Sequence, residues 1–92
     1  MTLDTVRVGG FTGVTLGSGN DEMDIIDSTF TKKVSILLDG GTDKLDLTAV
    51  AGSKFNSRFG ANGGSGDDTF IDDALNMYSP GHKVVAHFET FV

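Results

Sequence analysis

Three aspartates close three short glycine turns: Gly17-Ser18-Gly19-Asn20-Asp21, Gly40-Gly41-Thr42-Asp43 and Gly63-Gly64-Ser65-Gly66-Asp67-Asp68. They follow one another at 21→43→68, spacings of 22 and 25 residues. A turn of one kind repeating at such a period marks a solenoid, in which each repeat buries its apolar face against the next. Stacked rungs lie about 4.8 Å apart. At that distance a column of Asp21, Asp43 and Asp68 repels itself unless a cation or backbone amides neutralise it. Cation holding and amide capping are therefore the two chemistries open to these residues.

Other candidates are weaker. His82 and His87 stand five residues apart in a strand-like segment, which separates their faces, and no third partner lies near. Glu22 with Asp24, and Asp72 with Asp73, are carboxylate pairs of the type glycosidases use. Adjacent strand residues such as Asp72 and Asp73 point to opposite faces, however, and solvated acids on a solenoid wall are far commoner. There is no Ser-His-Asp elbow, phosphate loop or dinucleotide fingerprint, and Gly17-Ser18-Gly19 runs into Asn-Asp where a phosphate cradle needs positive charge. No enzyme is expected.

The elements between the turns read as strands. Residues 3–8 alternate apolar and polar. Val14 to Leu16 enters the first turn, and Met23 and Ile25 leave it. Val34, Ile36 and Leu38 enter the second, Leu45 and Leu47 leave it, and the third runs from Phe59 and Ala61 to Phe70 and Ile71. Each rung is thus strand, Asp-ended turn, strand and longer return. Two parallel sheets are expected, with Val14, Leu38 and Ala61 in one ladder and Met23, Leu45 and Phe70 in the other. The rungs run roughly 3–30, 31–54 and 55–76, with a single capping strand at 84–92. One helical stretch is expected, Asp73-Ala74-Leu75-Asn76-Met77-Tyr78, ending before Pro80. The alternative architecture is a small antiparallel sandwich, because glycine turns also build hairpins.

The third turn and its strand, Gly63-Gly64-Ser65-Gly66-Asp67-Asp68-Thr69-Phe70-Ile71, match the nonapeptide G-G-x-G-x-D-x-U-x at every position. The first, starting at Leu16, departs only in having leucine for the first glycine. The second keeps Gly40-Gly41, Asp43 and Leu45, but reads as two residues short. The chain resembles the RTX, or haemolysin-type, calcium-binding repeats. That resemblance implies calcium held between neighbouring turns by aspartate carboxylates and by the glycine-turn carbonyls. Carried over by position, it names Asp21 and Asp68 with the carbonyls of Gly17, Gly19, Gly64 and Gly66, and Asp43 facing both neighbours from the middle rung. Calcium takes six to eight hard oxygen ligands, and glycine lets carbonyls crowd inward. The same turns also serve as plain corners whose aspartates accept hydrogen bonds from turn amides.

Composition bounds the rest. A chain of 92 residues makes one small domain, and the absence of cysteine leaves it without disulfides or a thiolate zinc site. The net charge is −6, from 13 acidic and 7 basic residues, and the basic ones are scattered through the sequence. That balance argues against nucleic acid and suits a divalent cation. No apolar run reaches the ~18 residues of a membrane-spanning helix. The N-terminus, Met1-Thr2-Leu3-Asp4, lacks the features of a signal peptide. The expectation is a short all-β parallel solenoid cut from a larger bacterial secreted or surface protein, with a structural role. Its partners are neighbouring rungs, or a second copy at an open end. The alternative is carbohydrate binding on a sheet face, which predicts exposed aromatics in a row; the chain has no tryptophan and one tyrosine, Tyr78.

Overall fold

The computed structural model describes residues 1–92 and is all-β, a parallel solenoid of about four turns. The strands are β1 (Thr2–Asp4), β2 (Arg7–Val8), β3 (Thr12–Thr15), β4 (Glu22–Ile26), β5 (Thr29–Phe30), β6 (Val34–Leu37), β7 (Lys44–Leu47), β8 (Lys54–Phe55), β9 (Phe59–Asn62), β10 (Thr69–Asp72), β11 (Met77–Tyr78), β12 (Lys83–Ala86) and β13 (Thr90–Phe91). Every third strand pairs in parallel. This gives three walls where the sequence reading expected two: wall A (β1-β4-β7-β10-β13), wall B (β2-β5-β8-β11) and wall C (β3-β6-β9-β12). The third wall escapes pattern reading because each wall B strand has only two residues, too few to show an alternation.

The core fills the coil between the walls. Met23, Leu45 and Phe70 form one inward ladder, as expected. On wall C the ladder is Val14, Ile36, Ala61 and Val85, so Ile36 takes the place expected for Leu38. Leu38 lies two residues further on, buried at the entrance to the turn. Wall B contributes a stack of rings. Phe30 and Phe55 lie 5.3 Å apart and nearly parallel, and Phe55 and Tyr78 lie 5.1 Å apart likewise. Parallel in-register pairing puts like side chains on top of one another, which is how a solenoid of this size assembles a core.

Two further expectations are corrected. The segment 73–78 is not helical: Ala74 and Leu75 form a turn, and Met77–Tyr78 is strand β11. Asp73 Oδ1 accepts the Leu75 N–H at 2.9 Å, an Asx-type turn that competes with a first helical turn. The closing strand is two strands, β12 and β13, broken at His87, whose φ is +60°. The longer second period comes from extra residues at the A–B corner. There Asp27 Oδ1 accepts the N–H groups of Val50, Ala51 and Gly52 at 2.9–3.0 Å, and these bonds hold its carboxyl below the usual carboxylate range. No helix is long and apolar enough to cross a membrane.

Candidate functional site

All the expected site residues meet at one corner, where wall C turns into wall A. The register shows three turns of equal length: 16–21, 38–43 and 63–68. The middle turn is therefore not short. Asp39 stands where Gly17 and Gly64 stand, and it takes their left-handed backbone, with φ of +73° against +83° and +81°. Aspartate is among the few residues that tolerate this region. The motif is intact in shape where it is broken in sequence, and the same fact moves Ile36 into the ladder.

Gly19, Gly41 and Gly66 form the next column, with φ of +111°, +123° and +106°. A Cβ on Gly41 would stand 2.0 Å from the Gly19 carbonyl oxygen, and one on Gly66 would stand 2.0 Å from the Gly41 oxygen. Glycine is required here both by angle and by space, because each rung's carbonyl aims at the α-carbon of the next. Neither of those oxygens accepts a hydrogen bond from the protein.

The aspartates form the third column. The Asp21 N–H donates to Asp43 Oδ1 at 2.7 Å, and the Asp43 N–H donates to Asp68 Oδ1 at 2.9 Å. A fourth member, missed in the sequence, completes it: the Asp68 N–H donates to Glu89 Oε1 at 2.8 Å. The signal for it was present in Glu89-Thr90-Phe91, which repeats Asp68-Thr69-Phe70 but follows a turn stripped of its glycines. Asp43 and Asp68 are buried, and the second oxygens of Asp21, Asp43 and Asp68 are all shielded from solvent with no hydrogen-bond donor. For Asp68 the consequence is visible in its acidity. Burial, with the charges of Asp43 and Glu89 added, raises its pKa against the lowering effect of the Asp43 N–H.

The opposite corner of the same coil shows what capping alone requires. Where wall A turns into wall B, the N–H groups of Val6, Ser28 and Ser53 donate to Ser28 Oγ, Ser53 Oγ and Asn76 Oδ1 at 3.1, 3.0 and 2.8 Å. The topology of this ladder is that of the aspartate column, and it uses only neutral groups. Rung-to-rung capping of this kind does not require a carboxylate, although at the same corner Asp27 uses one to cap three amides of the longer link.

A second acidic group lies on the outer face of wall A. Glu22, Asp24 and Asp46 share that face, so Glu22 and Asp24 do come together, with Asp46 as their third member. Lys44 sits among them, 3.2 Å from Glu22 and 3.8 Å from Asp46, and occupies the place a cation would take. Asp72 and Asp73 part company: Asp72 accepts from Asn76, Tyr78 and Lys83, while Asp73 caps its own turn. His82 and His87 fall at different corners, before and after β12. The most exposed aromatics, Phe11 at the corner between walls B and C and Phe91 on wall A, form no row.

The chain matches no known protein family, no curated protein and no solved structure.

Proposed function

We propose that this chain is a non-catalytic structural repeat domain of a bacterial secreted or surface protein, stiffened by calcium along its glycine-turn corner. The observation that carries the reading is the set of donorless second oxygens on Asp21, Asp43 and Asp68, in a column where neutral side chains would cap the backbone equally well. A cation between rungs would take these oxygens together with the free carbonyls of Gly19 and Gly41. Hard oxygen donors of this kind suit calcium better than a transition metal. The residues implied by the RTX resemblance are Gly17, Gly19, Asp21, Asp43, Gly64, Gly66 and Asp68, and the geometry adds Asp39 and Gly41 to the same columns.

Calcium outside the cell would then favour the folded coil by mass action, since only the stacked turns bring the ligands together. Each end strand has one partner only, so both ends offer free backbone groups to a further rung or a second copy. The test is a thermal melt followed by circular dichroism in EDTA, in calcium and in magnesium. A rise in melting temperature specific to calcium supports the reading. A coil equally stable in all three reduces the turns to plain corners.

A further inference from the structure

Folding sorts the charges that the sequence scatters. All 13 acidic residues fall on wall A or at its two corners, and the stretches 5–20, 28–38, 47–66 and 74–88 contain none. Five of the seven basic residues gather on the other side. Arg7, Thr29, Lys54 and Met77 are register partners along the outer face of wall B. At the B–C corner, Phe11, Lys33, Arg58 and His82 occupy the same place in successive rungs, just before β3, β6, β9 and β12, and Lys32 stands beside them. The ion pairs of the molecule use Lys44 and Lys83. Arg7, Lys32, Lys33, Lys54 and Arg58 are exposed and have no carboxylate within pairing distance.

Two exposed apolar side chains lie on this side: Met77, 62% exposed, on wall B, and Phe11, 80% exposed, at the B–C corner. We infer that wall B and the B–C corner form a docking face for an anionic phospholipid bilayer, with the cations over the headgroups and Phe11 entering the interface. Two observations favour that occupant. The face combines cations with protruding apolar groups, the pairing that interfacial binding uses. The acidic glycine corner joins walls C and A and does not border wall B, while the acids that do, Asp4, Asp27 and Asp73, lie at the A–B corner, on the far side of wall B from Lys33, Arg58 and Phe11. A second copy is the poorer fit, because exposed ion pairs contribute little each. This inference stands independently of calcium at the turns.

The test is sedimentation with phosphatidylcholine vesicles, with and without phosphatidylglycerol, in calcium buffer at low and high salt. Binding is expected only to the phosphatidylglycerol vesicles and is released by salt. Lys33→Glu with Arg58→Glu should lower the partition coefficient at least about tenfold, given the strength of each cation near such a surface. Phe11→Ser should lower it several-fold, and Lys44→Gln, on the other side, should leave it unchanged. All four positions lie on the surface, and a circular dichroism spectrum of each variant confirms its fold. Equal binding to neutral vesicles overturns the inference. Binding that survives Lys33→Glu with Arg58→Glu does so too, because calcium would then be bridging lipid to the acidic corner. Salt-sensitive binding to a single-stranded oligonucleotide with none to vesicles would reassign the wall to nucleic acid.

Discussion

Asp43 and Asp68 are joined through one oxygen and left open through the other. The Asp43 N–H donates to Asp68 Oδ1 at 2.9 Å, while Oδ2 of each residue is buried without a donor. The bonded oxygen fixes the rung. The open one is the chemistry in excess of structure, and substitution separates the two roles.

Asp43→Asn keeps an oxygen for the Asp21 N–H and removes the charge. In EDTA it should melt at the same temperature as the parent or higher, because a buried charge facing its neighbours has been removed. In calcium it should lose most of the calcium-dependent rise. Asp43→Ala should lower stability in both buffers by about 1–3 kcal/mol, since it leaves the Asp21 N–H without its acceptor. A matched pair of melts for each variant decides the matter.

Gly66→Ala should be far more costly than Gly17→Ala. Both positions have positive φ, which costs a side chain about 1–2 kcal/mol. At Gly66 the new methyl also meets the Gly41 carbonyl, whereas at Gly17 it meets nothing within 4 Å. Urea denaturation should show Gly17→Ala as a modest shift in midpoint and Gly66→Ala as a coil opened at that corner.

Asp39→Gly should not destabilise the protein, unlike most replacements by glycine. The aspartate occupies an exposed, left-handed position with φ of +73°. Relief of that strain offsets the added freedom of the unfolded chain. A midpoint in urea equal to the parent, or higher by up to ~1 kcal/mol of stability, is the expected outcome.

Tyr78, the single tyrosine, reports alkaline unfolding. Burial raises its pKa above the normal 10.0, and the nearby Asp72 charge and hydrogen bond raise it further. Below the unfolded value both states keep the proton and the full contribution is present. As pH rises past about 10, only the unfolded chain ionises, so stability falls. The tyrosinate absorbance should therefore appear together with loss of the strand signal in circular dichroism. A tyrosinate step preceding that loss would place the hydroxyl in solvent.

Much of the coil is legible in the residues themselves. The period of Asp21, Asp43 and Asp68 gives a stack of rungs, and the strict neighbourhood of each aspartate to the next apolar residue gives the ladder of Met23, Leu45 and Phe70. These features are local, so a repeating string shows them. The middle turn reads as short because the sequence shows residue types and not backbone angles. Asp39 does the work of a glycine, and the register of Ile36 follows from that.

The sequence by itself therefore determined the parallel solenoid and its carboxylate column, because both arise from a motif that repeats. Only the tertiary structure decided the third wall, the place of Glu89 as fourth rung, and the gathering of Arg7, Lys33, Lys54 and Arg58 on one side. Those depend on unequal lengths at the corners, where added or missing residues change the spacing along the chain while hydrogen bonding between rungs keeps the walls in register.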